Sequence, residues 1–218
     1  MQKGHSMKRL AIACLMVMVF TISAPVKASA TRPKTAQTEM HVVGQCAFRI
    51  PKTPGVRFEM DKDSDSGGFG VGHTGDPDFW AVQMACKSLS PDLLETMVGV
   101  QRDGNTYVLG NQKERFIKEQ NTKLILLNGV NWTGAGTITD STTGELFDRY
   151  RRLNFCLVRG SRALCGWSNV VAHLSAPKKN VLKKVLRILN SIEFVDDSWS
   201  SAAISRTRRA DGDREWKR

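Results

Sequence analysis

The sequence predicts an α+β domain, an antiparallel β-sheet meander packed by two amphipathic helices. Three observations carry that expectation. Apolar residues alternate with polar ones through several short segments, four of them in succession between residues 122 and 169. Two other segments place apolar residues at helical spacing, and Gly, Pro, Asn and Asp punctuate the joins. Runs of strands interrupted by separate helices make a layered α+β architecture rather than alternating βαβ units. Of 218 residues, 41% are apolar and 24% charged, proportions that exclude disorder throughout, a collagen-like repeat and a multispan membrane protein.

Residues 1–30 read as a signal peptide. Basic Lys8 and Arg9 precede the apolar run Leu10 to Ile22, and small residues Ala28, Ser29 and Ala30 follow. That run falls short of the roughly 20 residues a permanent membrane helix needs. Cleavage is therefore expected after Ala30, leaving no transmembrane segment and a periplasmic or secreted chain. Met7 directly precedes Lys8, so the start at Met1 or Met7 stays open. Residues 31–40 form a polar lead-in, 41–197 a single domain and 198–218 a flexible basic tail.

Within the domain, the first strand is expected near Val42–Ile50, stopped by Pro51, and a second at the segment GVRFEM. Residues 61–78, rich in Gly, Asp and Ser, read as a long loop or a hairpin with glycine at its bends. Trp80, Val82, Met84 and Cys86 alternate as on a half-buried strand. A helix should follow, with Ser90 as N-cap, Pro91 at the first position, Leu93, Leu94, Met97 and Val98 as its stripe, and a stop at Gly104. Residues 111–120 fit either an exposed helical turn or a connector. The meander then runs through TKLILL, VNWTGAGTITD, ELFDRYRRLNFCLVR and ALCGWSN. A last helix starts near Ser175 and carries Val181, Leu182, Val185, Leu186, Leu189 and Ile192 on one face, before a closing strand at Ser191–Val195.

Export makes four cysteines informative, Cys46, Cys86, Cys156 and Cys165, because bridges persist in oxidising compartments. Four cysteines allow three pairings. Gly160 at the first central position of a two-residue turn makes Arg159 and Arg162 partners. Cys156 and Cys165 then face each other as a non-hydrogen-bonded pair, with α-carbons about 4.5 Å apart, inside disulfide reach. Cys46 is left with Cys86.

A strand carrying Phe48-Arg49-Ile50-Pro51, a helix, a meander and a terminal helix running into LRILNSIEF resemble the PsbP-like superfamily of α/β/α sandwiches, over roughly Val42 to Val195. The resemblance implies a noncatalytic interaction or assembly module and carries no site residues. The paired cysteines and the Gly-Asp loop are not part of that pattern.

No motif for catalysis withstands inspection. Asp61, Asp63 and Asp65 alternate like calcium ligands, but Ser66 and Gly72 stand where an EF-hand loop needs Gly and Glu. Gly70, Gly72 and Gly75 spell a phosphate-loop pattern with no helix after it. Ser175 and Lys178 spell SxxK without companion motifs, and Ser175 reads as an N-cap. His41, His73 and His173 show no metal-ligand spacing. Trp132, Phe155 and Trp167 sit on meander strands as core residues rather than ligand platforms. No cofactor is expected, and the chain reads as a non-enzyme.

Net charge is +11 for the full chain, and the export compartment disfavours nucleic acid. The excess points to another envelope protein or an acidic surface as partner. Lys178 and Lys179, placed at the start of the last helix among its open amides, form with Lys183, Lys184 and Arg187 the expected anion or partner surface. The alternative is a small-molecule or lipid-binding envelope protein, which would need an apolar pocket between sheet and helix.

Overall fold

The computed structural model describes residues 37–61, 65–72, 79–110 and 114–195. The expected signal peptide, Asp63, His73, Gly75 and the basic tail lie outside them. In chain order the elements are β1 (Thr38–Val43), β2 (Cys46–Pro51), β3 (Arg57–Met60), β4 (Ser66–Val71), β5 (Trp80–Ser88) and α1 (Leu93–Val98). Next come β6 (Val100–Asp103), β7 (Thr106–Leu109), α2 (Glu114–Glu119), β8 (Lys123–Asn128), β9 (Thr133–Asp140), β10 (Tyr150–Arg159) and β11 (Arg162–His173). The chain then forms α3 (Leu182–Asn190) and β12 (Glu193–Phe194). Short 3-10 turns occupy Leu146–Asp148 and Pro177–Lys179.

Seven strands pair antiparallel in the order β3-β4-β5-β11-β10-β9-β8, three in the order β1-β2-β12, and β6 pairs with β7 alone. Strand alternation gives the large sheet two different faces. From one face Val82, Met84, Leu153, Phe155, Leu157 and Leu164 pack against Phe48 and Ile50 of β2 and against Val185, Ile188 and Leu189 of α3. From the other, Ala135, Cys156, Ala163 and Cys165 meet Leu94 and Val98 of α1 and Val100 and Tyr107 of the β6-β7 hairpin. Thr137, buried on this second face, donates its hydroxyl to the Val98 carbonyl at 2.8 Å, so the end of α1 is tied to the sheet.

This is a β-rich sandwich, which corrects the expected α+β sheet packed by two amphipathic helices. The physical causes are local. The first helix lasts six residues and ends at Gly99, whose φ of 69° is the left-handed conformation glycine adopts at helix ends. The chain beyond it folds back as β6 and β7, and Gly104, expected as the helix stop, serves as their turn with φ 57°. A strand also lies inside the glycine-rich stretch, where residues without side chains give no hydropathy signal. Gly68 and Gly70 of β4 lie so close to β5 that a Cβ on either would collide with the Val82 or Trp80 carbonyl oxygen. The single strand expected at 42–50 is a hairpin, with β1 reaching back to Thr38 in the polar lead-in and Gly44 at its turn. The ambiguous segment 111–120 contains α2. The meander β8-β9-β10-β11 is present as expected.

The last helix begins at Leu182 rather than near Ser175. Asn180 Oδ1 accepts the Leu182 amide at 2.9 Å, whereas the Ser175 hydroxyl donates to the Phe147 carbonyl at 3.2 Å and caps nothing.

Candidate functional site

The two faces of the large sheet carry one disulfide each. Cys46–Cys86 links β2 of the small sheet to β5 of the large one, with α-carbons 5.5 Å apart. Cys156–Cys165 bridges register partners on β10 and β11, with α-carbons 4.0 Å apart. Gly160, at φ 57°, turns this hairpin and sets Arg159 opposite Arg162. Two disulfides fit a chain that matures in an oxidising compartment, and no described helix is long and apolar enough to cross a membrane.

At one end of the sandwich, where Tyr150 pairs with His173, the chain leaves β9 and β11 through the two 3-10 turns. They are held side by side: the Leu174 amide donates to the Arg149 carbonyl at 2.9 Å, and Ser175 reaches Phe147 as described. Leu146 and Phe147 project from the first turn 66% and 67% exposed. Lys178 and Lys179 stand exposed on the second. The Val181 amide donates to the Val171 carbonyl at 2.9 Å, which seats the start of α3 beside this end.

The five residues of the expected basic surface divide between the second 3-10 turn and α3. Lys178 and Lys179 lie on the 3-10 turn before α3 rather than in its first turn, and the Leu182 amide is already taken by Asn180 Oδ1. Lys183, Lys184 and Arg187 are on the exposed face of α3. Lys184 Nζ lies 5.3 Å from the centre of the Trp80 ring, a cation–π contact at the edge of the core. Glu145 and Asp148 flank the apolar pair and remove part of the positive charge. Sequence reading missed Leu146 and Phe147 by placing them on a strand; two large apolar residues between Gly144-Glu145 and Asp148 were the available signal.

The other candidates fall into structural roles. His41 stacks on Phe58 with ring centres 3.9 Å apart, and burial pushes its pKa down against the opposing pull of Glu39. His173 lies at the end of β11. Asp61 accepts the Ser66 hydroxyl, and no group of three His, Cys, Asp or Glu side chains able to hold a metal occurs among the described residues. Trp132 and Phe155 are buried, whereas Trp167 is 37% exposed.

No protein-family model matches the chain, and no curated protein does. A crystal structure from Bacteroides thetaiotaomicron VPI-5482 is similar at 14% identity and a TM-score of 0.39, over 69% of this chain and 46% of the other. The chain thus spans about half the length of that protein, and a likeness of this degree carries no argument about fold or function.

Proposed function

We propose that this is an exported, noncatalytic envelope protein that docks on an anionic lipid surface through the end built from Leu146, Phe147 and the lysines of the second turn and α3. One observation carries the reading: two large apolar side chains, each about two thirds exposed, project from a turn hydrogen-bonded to the segment that leads into exposed Lys178 and Lys179. A soluble domain leaves large side chains exposed singly, whereas an apolar patch rimmed by charge marks an interaction site. Burying Leu and Phe contributes up to about 1.5–3 kcal/mol each, and each lysine near an anionic leaflet about 1 kcal/mol. Such a surface needs no pocket and no reactive group. Signal-peptide cleavage after Ala30 would deliver the chain to the compartment where the two disulfides persist.

Cosedimentation with vesicles tests the reading. The processed protein from an exporting host should pellet with vesicles containing phosphatidylglycerol and stay in solution with pure phosphatidylcholine. Equal recovery in both pellets, or none in either, defeats it.

A further inference from the structure

Far from the charged end in sequence, the β6-β7 hairpin bears an arginine where its pattern calls for an apolar residue. Val100 and Tyr107 of the hairpin are buried in the cluster beneath it. Arg102 lies two residues from Val100 and pairs across the ladder with Tyr107, so it shares their face. It lines an open cleft of about 330 Å³ between the hairpin, α1 and the sheet, whose apolar walls are Leu89, Leu94, Tyr107 and Val158, with Ser90 at its rim. The Tyr107 hydroxyl lies 3.4 Å from Thr133 Oγ1, and the Ser90 hydroxyl donates to the exposed Asp92 carboxylate at 2.8 Å. Arg102 spends only its Nε, which donates to the Gly104 carbonyl at 3.2 Å. Its two terminal nitrogens have no partner among the described residues.

We infer that this cleft binds a small organic carboxylate with a compact apolar body. A guanidinium with two adjacent nitrogens open presents the fork that receives a carboxylate in two parallel hydrogen bonds. Leu89, Leu94 and Val158 offer the apolar remainder of a ligand a matching surface, the usual division of labour in a ligand site. At about 330 Å³ the cleft stands at the small end of ligand sites. The proposed occupant is a small free acid. Octanoate is a small acid of this kind. The site is separate from the docking end and does not depend on it.

Titration of the processed, 15N-labelled protein with octanoate and with its neutral match, octanamide, followed by amide NMR shifts, decides the matter. Octanoate should shift the amides of Leu94, Tyr107 and Val158 in a saturable way. Arg102→Gln should weaken octanoate at least about tenfold, the low end for a charge-assisted hydrogen bond, while octanamide binds both proteins alike. Absence of saturable shifts at millimolar octanoate overturns the inference. So do shifts centred on Leu146 and Phe147, or an Arg102→Gln effect equal for both ligands.

Discussion

Removing the two disulfides separately should destabilise the protein unequally, and the structure fixes the order. Cys46–Cys86 closes a loop with a sequence separation of 40, and Cys156–Cys165 one of 9. In the chain-entropy picture, cross-links of those lengths stabilise by about 4 and about 2.6 kcal/mol. The two loops do not overlap along the chain, so the two effects should add. Native connectivity widens the gap. Cys156 and Cys165 lie in a ladder that neighbouring register partners already align, while Cys46–Cys86 is a covalent link between two sheets that do not pair edge to edge. The perturbation is paired replacement, Cys46→Ala with Cys86→Ala against Cys156→Ala with Cys165→Ala, which leaves no odd thiol. Urea unfolding of each double variant, extrapolated to water, should show the inter-sheet pair costing more by about 1.3 kcal/mol or above. If losing the hairpin bridge costs as much or more, loop closure is not what these bridges contribute.

Trp132 is buried with Nε1 donating to the Ile192 carbonyl at 2.7 Å. Trp132→Phe therefore leaves that carbonyl without its donor and should cost about 1–3 kcal/mol in urea unfolding; a neutral outcome means water replaces the indole. Asp140 receives two hydrogen bonds from Arg151, at 2.6 and 2.8 Å, and that guanidinium holds its carboxyl below the ordinary 3.8. Because the folded pKa is depressed, the pair stabilises at neutral pH, and its contribution disappears as pH falls below 3.8 through the folded value. Asp140→Asn should be less stable than the parent by about 1–2 kcal/mol at pH 7, with the difference closing in acid; a pH-independent difference would reveal a packing effect instead.

The parts of the fold legible in sequence are those with strong side-chain alternation or fixed turn chemistry. The meander and the Cys156–Cys165 pairing followed from period two and from one glycine, since a two-residue turn fixes every register partner behind it. The hidden parts had weak or misleading local signals. β4 is half glycine, so its strand character comes from close approach to β5 and not from any side chain. The stripe Leu93, Leu94, Met97 and Val98 is helical, but the residues after it pair as a hairpin that packs on the same sheet face, and no local pattern announces that exchange. At the candidate site, the lysines were visible as charges. The tie between Ser175 and Phe147, which holds the turn carrying Leu146 and Phe147 against the segment leading into Lys178 and Lys179, spans 28 residues and exists only in the folded chain.

The most direct test of the docking surface separates its two components on phosphatidylglycerol vesicles at low and high salt. One variant carries Lys178, Lys179, Lys183 and Lys184 changed to Gln, the other Leu146→Ser with Phe147→Ser. The lysine variant should bind at least about tenfold more weakly at low salt and lose most of its salt dependence, because screening acts on exposed charge over about 8–10 Å. The Leu146 and Phe147 variant should bind more weakly at both salt concentrations while keeping the parent's salt slope, because burying apolar surface is not screened. If both variants bind like the parent at low and at high salt, this end of the sandwich faces only solvent and the proposed docking surface does not exist.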